Sequence, residues 1–220
     1  MGSSQREGPS KQPGFADRLR QRTRRLHAEA ERAGIVRDII LGEAGVAAYA
    51  LFLRNLLPVY RTLEEALSRL RQCSPLHPLA DPRVFRAPAL ITDIGRLAGP
   101  GWEGRLPLLP AAAAYAAAIA AAADGNAGRL LAHAYVRYLG DLNGGLVLRR
   151  AIARLPGLAD GSFAFYEFAG VADVPAFARA YRGAIDRAGA EIADPTAVIE
   201  EAARAFRLNI ALSEAVAAAG

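Results

Sequence analysis

Apolar residues along this chain recur three and four positions apart and almost nowhere alternate. That spacing predicts helices over Phe15–Ala33, Gly45–Gln72, Ala87–Ala98, Pro110–Ala123, Ala127–Leu155, Val174–Gly189 and Pro195–Ala218. The punctuation agrees. Gly34 closes the first block, Pro156-Gly157 closes the fifth, and Pro58 is expected to bend the second. Asp81-Pro82 and Asp194-Pro195 each set a capping carboxylate before a proline at the first helical position. Only Ser162–Phe168, a short aromatic run, could be a strand. The pattern implies an all-α protein: a compact, irregular multi-helix bundle, forming one domain over 15–220 behind a polar, disordered lead over 1–14.

Composition narrows the partners. The 220 residues are 52% apolar, enough for a sizeable core, and carry a net charge of +5. A basic balance permits an anionic ligand. Nucleic acid is a poor fit, because the arginines are dispersed and no helix-turn-helix, zinc-finger or RNP pattern occurs. Lys11 is the only lysine, and the Ala/Gly/Arg bias suggests a bacterial chain. The single cysteine, Cys73, rules out an intrachain disulfide and fits a reducing cytoplasm. No signal peptide is expected. Leu106–Ala123 carries no charge, but it is mostly alanine and starts with Pro107 and Pro110. It reads as an Ala-rich helix of the bundle, so no membrane anchor is expected.

Two constellations carry candidate chemistry. On the first helix, Arg20, Arg24 and Glu31 stand at i−7, i−3 and i+4 from His27, all on one face. A neutral imidazole can ligate haem iron, and neighbouring guanidiniums can pair with carboxylates. Spacing of this kind usually marks a solvated basic face. In the fifth helix, Gly140, Gly144 and Gly145 interrupt strong helix formers at roughly 1 kcal/mol each. Gly140 and Gly144, four apart, bare one patch of backbone to which a flat ring could lie close. Packing of two helices through small residues is the competing explanation. Asp141 inside that patch, with Arg137 one turn earlier, adds a carboxylate able to order water and direct protons.

The run Ala132-His133-Ala134-Tyr135-Val136-Arg137-Tyr138-Leu139-Gly140-Asp141-Leu142-Asn143-Gly144-Gly145 resembles the distal-helix motif of heme oxygenases. Leu26-His27-Ala28-Glu29-Ala30-Glu31 resembles the family's proximal histidine segment, and similarity extends through Pro58-Val59-Tyr60, Leu63-Glu64-Glu65 and Ala205–Ile210. The resemblance implies haem b as both cofactor and substrate, with dioxygen as co-substrate. The ring would open at a meso carbon to biliverdin, carbon monoxide and ferrous iron. It implies that His27 is the iron ligand with Glu31 near it. Arg20, Arg24, Tyr135 and Arg182 would face the propionates. Gly140, Gly144 and Gly145 would form the distal backbone. Asp141 would hold a proton-delivering water network with Tyr60, Arg137 and Asn209. An external electron donor of ferredoxin or flavoprotein reductase type, a cytoplasmic location and a monomeric state are also expected.

The chain departs from the family pattern at Asn143, where serine is common, and at Ala178, where a basic residue is common and Arg179 follows. Both bear on how the ring is seated and hence on which meso carbon is attacked. His133, His77 and Trp102 read as structural or surface residues, and Cys73 has no nucleophile pattern around it. Three rivals remain: a haem-binding protein without turnover, a two-metal carboxylate bundle, for which no Glu-x-x-His pair exists, and a purely structural bundle.

Overall fold

The computed structural model describes residues 13–70 and 75–220. Among them the regular elements are all helical. They are α1 (Phe15–Ala30), α2 (Gly34–Leu41), α3 (Val46–Arg69), α4 (Ala87–Ala98), α5 (Trp102–Arg105), α6 (Pro110–Gly125), α7 (Leu130–Ala134), a π-helical turn (Tyr135–Leu139), α8 (Gly140–Ile152), α9 (Val174–Glu191) and α10 (Pro195–Ala219), with short 3-10 turns between some of them.

Helix α10 is the central post, packing on α1, α2, α3, α6 and α7. Helix α3 lies against α4 and α6, and α9 bridges α1 and α8. The stripe Phe15, Ala16, Leu19 and Thr23 buries one side of α1 and leaves its arginines outside. In α6 the apolar face is Ala112, Tyr115, Ala118, Ile119 and Ala122. Its short side chains let α3 and α10 come close, and no helix is long and apolar enough to cross a membrane among the described residues.

The pattern and the structure part company at the breaks. The first block stops at Ala30, because α10 blocks its path. A Cβ on Gly34 would lie 2.3 Å from the Ser213 carbonyl, and Gly34 itself has φ +51°. The chain turns there and starts α2, whose buried Ile35 and Ile39 were not distinguished from loop by their spacing alone. Helix α3 runs unbroken through Pro58. Asp194 caps α10 as expected, accepting the Ala197 N–H at 2.9 Å, whereas Asp81 heads only a 3-10 turn, Pro82–Val84. Ser162–Phe168 forms no strand. Its centre, Ala164–Tyr166, is a 3-10 turn whose N–H groups bond to the Asp93 carboxylate. The predicted helix over Ala127–Leu155 is split in register by the π turn.

The minor candidates settle simply. His133 is fully buried against Glu201 at 3.2 Å, and His77 is exposed. Trp102 is buried beneath the Arg54 guanidinium. Cys73 lies outside the described residues.

Candidate active site

The site is assembled from five elements that sequence separation keeps far apart: α1, α3, the π turn with α8, α9, and α10. At its centre is a hydrogen-bonded chain of four side chains. The Tyr60 hydroxyl donates to Asp141 Oδ2. Arg137 donates to the same hydroxyl from Nε at 2.9 Å and Nη2 at 2.6 Å, and its Nη1 donates to Asn209 Oδ1. Arg137 Nη2 also stands 3.7 Å from Asp141 Oδ1. Direct side-chain hydrogen bonds thus join Tyr60, Asp141, Arg137 and Asn209.

The π turn matters to this geometry. One extra residue per turn at Tyr135–Leu139 rotates everything after it relative to α7. Arg137 and Asp141 can then meet the Tyr60 hydroxyl together while His133, one turn earlier, meets Glu201. α10 supplies both partners, Glu201 and Asn209, so two polar rungs fasten this segment to the central helix.

Burial sets the protonation states. Tyr60 is fully buried, which pushes its hydroxyl well above the usual tyrosine range and keeps it a donor. Burial also raises Asp141, and Arg137, the Tyr60 hydrogen bond and Arg86 offset that only in part. Burial would lower the Arg137 guanidinium, but Tyr60 and Asp141 more than restore it. The result is a carboxylate with raised proton affinity beside a fixed cation.

The glycines divide into two roles. A Cβ added to Gly140 or Gly144 would meet nothing within 4 Å. No neighbouring helix packs against these two positions, which removes the small-residue packing explanation for them. Gly145 is different. It is buried, and its Cβ would sit 3.6 Å from the Tyr166 ring. It faces the protein interior rather than the open strip, a correction to its expected place beside Gly140 and Gly144. Asn143 donates to the Leu139 carbonyl at 2.8 Å and so folds back on its own helix.

On α1, His27 is 57% exposed, with Nδ1 3.6 Å from the Glu31 carboxylate. Its Nε2 makes no hydrogen bond among the described residues. The Phe206 ring from α10 meets it edge-on at 5.9 Å. Arg20 and Arg24 are exposed on the same helix. Arg182 reaches Asp17 of α1 at 2.5 Å, and the Tyr135 hydroxyl is 3.4 Å from Thr23 Oγ1. Burial raises Tyr135, and the nearby charges of Arg182 and Arg20 oppose that shift. Arg20, Tyr135 and Arg182 are thus gathered at one end of α1. Ala178 is buried and Arg179 exposed, so the arginine does not occupy the alanine's place.

Several participants were invisible from the sequence pattern. Thr23 and Phe206 support Tyr135 and His27, and Phe206 lies three residues before Asn209, one turn away on α10. That spacing was the available signal. Among the described residues no group of three His, Cys, Asp or Glu side chains could hold a metal ion on its own. The features present suit a flat metal complex instead: a solvent-facing imidazole nitrogen, an open strip of glycine backbone, and cations at the edge.

An all-helical protein with an exposed histidine on one helix and an open glycine strip beside a carboxylate–arginine pair on another suits a haem-handling helical enzyme. The chain belongs to the heme oxygenase family, whose model matches residues 13–215. It is 32% identical over 196 residues to heme oxygenase 1 of Synechocystis sp., covering 89% of this chain and 82% of that one. The crystal structure of Synechocystis heme oxygenase-1 in complex with heme superposes with a TM-score of 0.86 at 31% identity, covering 91% of each chain. Heme oxygenase from Leptospira interrogans superposes equally well, at 30% identity over 92% of this chain and 99% of that one.

Proposed function

We propose that this chain performs the family's reaction, the oxidative cleavage of haem to biliverdin, carbon monoxide and iron, with its own residues in the following roles. His27 holds the iron through Nε2, with the Glu31 carboxylate 3.6 Å from its Nδ1. Arg20, Arg24, Arg182 and Tyr135 receive the propionates. Gly140 and Gly144 present bare helix backbone to the ring, because a side chain there would project into the space the ring needs. Bound haem supplies the iron at which dioxygen is activated and the meso carbon that is attacked.

The remaining chemistry is proton management. Tyr60 satisfies one oxygen of Asp141, and the other is left to order water. Arg137 opposes the protonation that burial favours at this carboxylate, and Asn209 holds Arg137. The Tyr60–Asp141–Arg137–Asn209 chain beside the open glycine strip is the observation that carries this reading. A non-catalytic haem carrier has no use for a half-buried carboxylate wired to a cation at that spot. Electrons come from an external ferredoxin or flavoprotein reductase, and the chain acts as a cytoplasmic monomer.

The test is to mix the protein with haem, dioxygen and a reductant and follow the visible spectrum. Loss of the Soret band with growth of a biliverdin band and release of iron is expected. A Soret band that persists would leave a haem carrier. Asp141→Ala should still bind haem but yield no biliverdin, and unchanged yield would remove Asp141 from its role. His27→Ala should alter the haem spectrum, and a spectrum matching the parent's would mean another ligand.

A further inference from the structure

The aromatic segment that the sequence pattern left as a possible strand is held in an unusual way. A single 3-10 turn has little stability of its own. Here, however, two buried charged side chains from other elements grip its backbone. Asp93 of α4, fully buried, accepts the N–H groups of Ala164 at 3.0 Å and Phe165 at 2.8 Å. Arg86, also buried, donates to the Glu167 carbonyl at 2.7 Å and the Phe165 carbonyl at 3.4 Å, with its guanidinium 4.2 Å from the Phe168 ring centre. Arg86 is itself fixed by the Val84 and Arg83 carbonyls, each at 3.0 Å.

What this turn touches is the proton-handling group. The Phe165 ring meets Tyr60 edge-on at 5.4 Å, and Tyr166 backs the glycine helix at Gly145. The circuit then closes. Glu64, one turn after Tyr60 on α3, accepts the backbone N–H of Arg86 and of Ala87. A path therefore runs from Tyr60 through Glu64, Arg86 and Phe165 back to Tyr60. Burying an aspartate and an arginine to grip a few backbone groups is costly, and apolar packing alone would not require it.

We infer that Asp93 and Arg86 are positioning residues: they clamp the Ala164–Glu167 backbone so that Phe165 sets the orientation of Tyr60 and, through it, the hydrogen bond to Asp141. The inference rests on the proposed role of Asp141 only for its catalytic consequence. The clamp itself is a property of the haem-free chain.

The test uses the full-length protein. Asp93→Asn leaves one acceptor oxygen for two N–H groups and adds an unwanted donor. In haem-free protein, the Asp141 carboxyl is titrated by carbon-13 NMR. Loosening Tyr60 removes a hydrogen bond to the carboxylate, so the midpoint should rise by about half a pH unit or more. Phe165→Leu, which leaves every hydrogen bond of the clamp in place, should move it the same way. With haem, both variants should lose about tenfold in kcat with KM within about twofold of the parent. A folded Asp93→Asn protein whose Asp141 midpoint matches the parent's overturns the inference. Should that variant fail to fold, an unmoved midpoint in Phe165→Leu overturns it instead. A parent protein that makes no bilin would defeat the proposed function while leaving the titration result standing.

Discussion

Burial raises two carboxylates, Asp141 on α8 and Glu64 on α3, that find different partners. Asp141 is answered by a cation and a hydroxyl, whereas Glu64 is answered mainly by backbone N–H groups and the Arg86 charge. Burial wins at Glu64 and lifts it to about 7. In the unfolded chain it titrates near the ordinary glutamate value, about 4.3. Between these values the native state holds more protons than the unfolded state, so this group makes stability fall as pH rises from about 4.3 to about 7. Glu64→Gln should flatten that decline, which is steepest at about 1.4 kcal/mol per pH unit. Urea denaturation of parent and variant at pH 5 and pH 7 would check it, and parallel losses in the two proteins would contradict it. Glu201, lowered by its hydrogen bond to His133, acts with the opposite sign and at lower pH. At this scale the sequence carried identity but not partnership. Tyr60, Arg137, Asp141 and Asn209 were each legible through the family resemblance, but Glu64 acquired a role only when α4 brought Arg86 to it.

At the scale of the element, α8 is less stable than its length suggests. Gly140 has ordinary helical angles, φ −59° and ψ −51°, and a Cβ there or at Gly144 meets open space. Gly140→Ala and Gly144→Ala should therefore each stabilise the haem-free protein by about 0.5–1 kcal/mol. For a domain of this size that is a Tm gain of about 2–4 °C per kcal/mol. Both should weaken haem binding, read as a lower affinity in a Soret titration. A variant that stabilises the apo form and binds haem as tightly as the parent would show that the strip does not face the ring. This is the familiar opposition of stability and function, located at two atoms. The three glycines were conspicuous in sequence, but their division was not. Helical periodicity puts Gly145 about 100° from Gly144, and only the packing of Tyr166 revealed that it faces inward. The π turn was illegible for a related reason: its single extra residue leaves no mark in apolar spacing over so short a run.

For the molecule as a whole, the decisive feature is how closely α10 passes the α1–α2 corner. Ser213 Oγ donates to the Ala33 carbonyl at 2.9 Å and accepts the Val36 N–H at 3.2 Å, and Gly34 fits between only because it has no side chain. Gly34→Ala should cost about 2–4 kcal/mol, combining a positive φ with overlap against backbone. Gly42→Ala is the matched control. Its φ is +74° but its Cβ would meet nothing within 4 Å, so about 1 kcal/mol is expected. Equal losses in the two variants, measured by chemical denaturation, would show that the approach of α10 contributes nothing. The same helix links the two faces of the site, since Phe206 meets His27 and Asn209 holds Arg137.

Sequence by itself determined that the chain is helical and where most helices lie, because helical periodicity and proline and glycine punctuation are local in the chain. The candidates for iron, propionates and protons came from its resemblance to heme oxygenases. Tertiary structure decided the rest: the stop at Ala30, the direction each glycine faces, the four-residue network around Tyr60, and the clamp on Phe165. Each of these depends on a contact between residues about twenty or more positions apart, and local spacing carries no information about such contacts.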